Sequence, residues 1–136
     1  MYLSLQGNVG LGKAIEYFTS KSIPVSIPLN DTQKYDLVVD MDNVLYRVSV
    51  KTSRQLNKNG TYQVELKNSG GASKKKTIRK FSNTSCDYLF ILTGNDKMYL
   101  IPSSQIDAKN SIAVGNKYAE YEVANVKFSN FINNIH

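Results

Sequence analysis

Two residues of this chain are best placed to do chemistry: an aspartate, Asp36 in YDLVVD, and a lysine, Lys51 in YRVSVKTS. Both segments alternate polar and apolar residues at period two, the pattern of a half-buried strand. The MDNV stretch between them, Met41 to Val44, is turn-like and joins them as a hairpin. Pairing Asp36 across from Lys51 brings Asp40 near Arg47. One face then carries Asp36, Asp40, Arg47, Ser49 and Lys51, while Leu37, Val39, Val48 and Val50 turn toward a core. A carboxylate beside an ammonium on rigid strands can bind a metal ion and position a water, which is much of what phosphodiester hydrolysis requires.

The residues that are missing narrow the chemistry further. The one histidine is His136, and the one cysteine is Cys86. Zinc sites of the Cys/His kind, Ser-His-Asp triads, Cys-His pairs and histidine-based nuclease chemistry are therefore excluded. Neither GxxxxGK[ST] nor GxGxxG occurs, so no nucleotide cofactor is expected. Catalysis falls to carboxylates, lysine and a cation that takes oxygen ligands, with magnesium the first choice.

These residues need a scaffold, and the composition allows one. The chain has 136 residues, which implies a single domain spanning 1–136, and its 41% hydrophobic content with five Phe and nine Tyr supports a core. Lysine and arginine number 17 against 11 acids, a net charge of +6 that suits a polyanionic partner. Cys86 cannot form an internal disulfide and reads as a small buried residue in a reducing compartment. With no signal peptide and no apolar run of membrane length, a soluble cytoplasmic protein with no membrane partner is expected.

Residues 6–20 predict a helix with Asn8 as N-cap, its stripe formed by Leu11, Ala14, Ile15 and Phe18. Residues 23–27 alternate as a strand between Pro24 and Pro28. The hairpin of Asp36 and Lys51 follows at about 34–40 and 44–52. After a polar connection at 53–60, Tyr62, Val64 and Leu66 mark a fourth strand. Residues 68–80, NSGGASKKKTIRK, predict a flexible basic loop. Cys86 to Leu92 reads as a buried strand that pairs with Met98–Ile101 through a GNDK turn, and SSQI starts a short helix. Beyond Ala108 the pattern is weak, and 117–124 and 126–134 fit strand or helix equally. A leading helix followed by strands implies an α/β or α+β domain with a mixed sheet.

The stretches GNVGLGKAIEYF, VSIPLNDTQKYDLVVD, LYRVSVKTS and DYLFILTGNDKMYLIPSS resemble the PD-(D/E)XK nuclease fold of restriction enzymes and junction resolvases. Within that fold they are similar to the group I intron-encoded homing endonucleases of cyanobacteria. The resemblance implies a restriction-endonuclease-like α/β core: a mixed central sheet flanked by helices. It also implies a site-specific double-strand DNA endonuclease that uses Mg2+. It places Asp36 at the metal-binding aspartate, with Tyr35 where proline is usual, Lys51 at the motif lysine, and the Val50 carbonyl as a metal ligand. Two further catalytic positions depart from the pattern. Ser49 stands where the family has Asp, Glu or Gln, and Leu11 stands in GLGKA where a helix glutamate is common. Leucine supplies no oxygen and serine is short, so magnesium should be held weakly and activity lowered.

Lys74, Lys75, Lys76, Arg79 and Lys80 concentrate charge that could track DNA phosphates. Arg54 and Lys58, just past the Lys51 strand, are candidates for reading bases, although ordinary loop charge explains them equally well. Cutting two strands needs two sites, which implies a homo-oligomer, a dimer or a tetramer. Two alternatives stay open: a DNA-binding protein of nuclease-like fold without activity, and a Holliday-junction-resolvase-like nuclease that reads DNA shape.

Overall fold

The apolar stripe of the leading segment winds into α1 (Tyr2–Ser20), whose sheet-facing side buries Ala14, Tyr17 and Phe18. The structure, a computed structural model, describes residues 2–30, 32–69, 78–79, 81–82 and 84–124, with the side chains of 2–4, 68–69 and 78–79 outside that description. The helix starts earlier than its periodicity suggests, so Asn8 is an interior residue and not a cap. The first half of the helix is held to the sheet: Gln6 Nε2 donates to Thr52 Oγ1 at 3.2 Å, and Gly10 lies directly against the strand below. A Cβ on Gly10 would sit 2.3 Å from Thr52 Cγ2. Gly10→Ala should therefore lower the melting temperature. Overpacking of about 1–3 kcal/mol outweighs the roughly 1 kcal/mol gained in helix propensity, and thermal denaturation followed by circular dichroism checks it.

The strands are β1 (Val25–Ser26), β2 (Leu37–Met41), β3 (Val44–Ser53), β4 (Tyr62–Glu65), β5 (Asn68–Ser69), β6 (Ile78–Arg79), β7 (Tyr88–Thr93), β8 (Met98–Pro102), β9 (Ser111–Val114) and β10 (Glu122–Val123). The central sheet has six of them, in the order β1-β2-β3-β7-β8-β10. Only β3 and β7 run parallel, so the sheet is mixed as expected. β1 is shorter than its alternation predicts, because Pro24 and Pro28 lack the donors to extend the ladder.

The β2–β3 hairpin turns on Asp42 and Asn43, with φ of 55° and 67°, the double left-handed geometry of a two-residue turn. Its register corrects the expected one. Leu37 pairs with Val48, Val38 with Arg47 and Asp40 with Leu45, so Asp36 lies two residues away from direct opposition to Lys51. A shift of two preserves the faces. Leu37, Val39 and Val48 are buried beneath α1 with Phe18, Phe90 and Met98.

The other face is covered by a two-stranded ribbon of β4 and β9, whose Val64, Ile112 and Val114 pack with Leu89, Ile91, Tyr99 and Ile101. β4 thus leaves the central sheet to pair with a strand in the weakly patterned region beyond Ala108. Ends of the segment expected as a flexible basic loop pair antiparallel, Asn68 with Arg79 and Ser69 with Ile78, while Lys74, Lys75, Lys76 and Lys80 lie outside the described residues. Residues 126–134 also lie outside them. The expected short helix after β8 is a 3-10 turn at Ser103–Gln105. Among the described residues, no helix is long and apolar enough to cross a membrane.

Candidate active site

The ladder between β2 and β3 stops at Leu37, whereas β7 accompanies β3 as far as Ser53. The last turns of β3 therefore keep one edge open on the β2 side, and Asp36 stands at that edge. Its backbone N–H donates to the Val48 carbonyl at 2.9 Å, and its Oδ2 accepts the Val50 N–H at 2.7 Å. A side-chain carboxylate thus continues the pairing where backbone stops. In an extended strand the N–H and C=O of one residue point to the same edge, so the Val50 carbonyl faces the Asp36 side. Asp36 is exposed.

Lys51 follows on the ribbon side of β3, paired in register with Ile91 and half-buried. Burial pulls its ammonium below the usual lysine range, and the charges of Asp36 and of a Cys86 thiolate push back. Ser49, paired with Leu89, is on the same face but 3% exposed. Behind it Cys86 Sγ lies 3.3 Å from Ser103 Oγ. Burial pushes the Cys86 thiol up, opposed by hydrogen bonds from Ser103 and the Ser49 backbone and by the charges of Lys51 and Arg47.

Leu11 is on α1, packed partly into the cluster that holds Val48 and Leu37, with Val50 at its margin. It therefore reaches β3 from the face opposite Ser49 and Lys51. The structure brings Asp36, Val50 and Lys51 together, sets Ser49 one alternation back in a buried layer, and keeps Leu11 across the sheet. Arg54 and Lys58 are exposed just beyond β3. The Arg79 backbone pairs with Asn68, and its side chain is outside the described atoms.

Asp87 supports β3 from its other edge. Its N–H donates to the Arg47 carbonyl at 2.8 Å, its Oδ2 accepts the Arg47 N–H at 2.8 Å, and the Arg47 Nε lies 3.6 Å from the same oxygen. Two aspartates, each one residue before a partner strand, thus hold the site strand from both sides. Sequence reading missed a further feature here, the hydrogen-bonded hairpin at 57–61. Its signal was Asn59-Gly60, a strong turn pair.

For a divalent cation, the chain offers the Asp36 carboxylate and the Val50 carbonyl. Among the described residues no group of three His, Cys, Asp or Glu side chains converges. Magnesium keeps several waters and is commonly held by one or two carboxylates plus substrate phosphates, so this donor set fits at its lower limit.

A family profile described as PD-(D/E)XK endonuclease matches residues 1–130. Among solved structures, that of a bacterial homing endonuclease, I-Ssp6803I, aligns with a TM-score of 0.73 at 22% identity, covering 88% of this chain and 87% of that one. That of MepB aligns with a TM-score of 0.44 at 14% identity, covering 84% and 96%. No curated protein matches.

Proposed function

The chain belongs to the PD-(D/E)XK endonuclease family, and we propose that it is a site-specific endonuclease of double-stranded DNA, of the homing type, that uses magnesium. The observation that carries this reading is Asp36 bonded to the Val50 N–H at the open edge of β3, with Lys51 next along the strand. The likeness in fold to a homing endonuclease supports the type of target.

Asp36 and the Val50 carbonyl would hold the cation, with a DNA phosphate and waters as its other ligands. Bound there, a divalent ion supplies Lewis acidity at the phosphate and a more acidic water. The hydrogen bond from Val50 fixes the carboxylate rotamer before DNA arrives, so little reorganisation accompanies binding. Lys51 presents its ammonium toward the reacting phosphate and offsets the charge that grows on its oxygens. Its lowered pKa also lets it exchange a proton with the attacking water closer to neutrality than an ordinary lysine can. The basic residues Lys74, Lys75, Lys76, Arg79 and Lys80, with Arg54 and Lys58, would contact the duplex.

One site per chain and two strands to cut make a homo-oligomer, a dimer or tetramer, the functional unit. A sedimentation mass above the 15.2 kDa monomer is expected; a monomer mass both with and without DNA would contradict it. Incubation of long duplex DNA with magnesium should yield discrete fragments, whereas a smear would remove site specificity from the reading. A second reading, a DNA-binding protein without activity, is favoured by Leu11, by Ser49 and by the single carboxylate that the described residues place at the edge. Retained binding with no cutting at any magnesium concentration would select it.

A further inference from the structure

Beyond β3 the chain does not wander as a polar loop. Asn57 N–H donates to the Thr61 carbonyl at 2.8 Å and Gly60 N–H to the Asn57 carbonyl at 3.0 Å, with Gly60 at a φ of 88°. This is a three-residue hairpin turn closed by a left-handed glycine. Side chains brace it. Thr61 is 7% exposed, and its hydroxyl accepts from Asn57 Nδ2 at 3.0 Å and donates to Asn59 Oδ1 at 2.7 Å. Leu56 bridges Tyr62.

The root is equally fixed. Ser53 Oγ donates to the Gln63 carbonyl and accepts the Gln55 N–H at 3.2 Å, while Gln63 N–H donates to the Gln55 carbonyl at 2.9 Å. The turn after β7 packs against it: a Cβ on Gly94 would lie 3.2 Å from the Tyr62 ring and 3.3 Å from Arg54 Cα. From this ribbon Arg54, Gln55, Leu56, Lys58 and Asn59 are all exposed, Leu56 at 61%.

We propose that the hairpin of residues 53–63 is a base-reading arm, in which Arg54 and Gln55 contact base edges in the major groove close to the phosphate that Lys51 faces. This rests on the DNA-endonuclease reading above. A major groove about 12 Å wide admits a two-stranded ribbon, and arginine recognises guanine, glutamine recognises adenine, and an apolar side chain such as Leu56 suits a thymine methyl. Phosphate contact alone would call for cations, and most of the exposed set is neutral. Arg54 is three residues from Lys51, about 10 Å along an extended chain. At 3.4 Å per step of duplex, the arm reads roughly three base pairs from the cut. Bracing at both root and tip holds these side chains ready, so base discrimination does not require the arm to be ordered first.

The test separates reading from cutting. A pool of short randomised duplexes is captured on the intact chain in EDTA, where no cleavage occurs, and sequenced; Arg54→Ala and Gln55→Ala are treated alike. Wild type should enrich a motif, and each variant should lose about tenfold or more discrimination at one or two adjacent base pairs, with the rest of the motif kept. An unchanged motif in both variants overturns the proposal. Uniform weakening on every duplex also overturns it, since that is the mark of a phosphate contact. Failure of wild type to enrich any motif overturns the arm, while the nuclease reading still stands or falls on cutting of long DNA with magnesium. Both substituted residues are exposed, so folding is not at stake.

Discussion

Asp36→Asn is expected to lower DNA cleavage by about a thousandfold while the protein stays folded and binds DNA within a few-fold of wild type. The size follows from losing electrostatic stabilisation at the reacting phosphate, typically 10²–10³ or more per group. The fold survives because the asparagine oxygen can still accept the Val50 N–H that Oδ2 accepts at 2.7 Å. Only the charge is lost, and with it the one side-chain carboxylate that the described residues place at the open edge. Lys51→Met belongs beside it, with the same loss of cutting and a gain in stability. Burial lowers the Lys51 pKa, so the unfolded chain binds that proton more tightly than the folded one. The charged lysine therefore works against folding, and stability recovers as pH rises from the folded pKa toward the unfolded value near 10.5. Methionine keeps the stem without the charge, so the variant should melt at a higher temperature. Cleavage of long duplex DNA with magnesium and a thermal melt across pH decide both. Substantial cutting by either variant would place the chemistry elsewhere, and a lower melting temperature for Lys51→Met would mean that its interactions outweigh its burial.

Leu11→Glu combined with Ser49→Gln should raise cleavage by about tenfold or more, the effect of adding one ligand interaction worth at least 1.4 kcal/mol. Position 11 approaches β3 from beneath the sheet, at the cluster margin that includes Val50, and a glutamate there adds a second carboxylate on the helix side. Position 49 adds an amide oxygen on the Lys51 face. The two changes are asymmetric in cost. Leu11 is half-buried and can be replaced with modest loss, whereas Ser49 is 3% exposed in the layer shared with Cys86 and Ser103. Ser49→Gln alone should therefore destabilise by about 1–3 kcal/mol through overpacking. Magnesium titration should show the double variant saturating at a lower concentration than the parent chain. Adding Lys51→Ala to the double variant should then abolish cutting while DNA binding stays largely intact. Equal cutting and equal magnesium dependence for parent and double variant would show that neither position faces the metal.

Local patterning made much of this legible. The stripe Leu11, Ala14, Ile15 and Phe18 placed a helix, and period-two alternation placed β2 and β3 and the faces of Leu37, Val39, Val48 and Val50, because those periods are set by backbone geometry alone. Asp36, Val50 and Lys51 could be assembled as a site from the segments that resemble the nuclease family. Register, partners and covering layers are different in kind. The two-residue slip of the hairpin leaves every face unchanged, so no alternation pattern reports it; the turn at Asp42 and Asn43 sets it. That β4 leaves the central sheet for β9 depends on a strand 46 residues later with only four residues of its own, Ser111–Val114. That β3 keeps an open edge beside Asp36 depends on where β2 stops and β7 continues. From its sequence, the chain determined which residues alternate, which face turns inward and which side chains are candidates for the chemistry. Only the tertiary structure decided that an aspartate carboxylate replaces backbone pairing at Val50, that Ser49 and Leu11 lie on opposite faces of one strand, and that residues 53–63 form a braced arm. Those outcomes depend on contacts between segments far apart in the chain, and local periodicity carries no information about them.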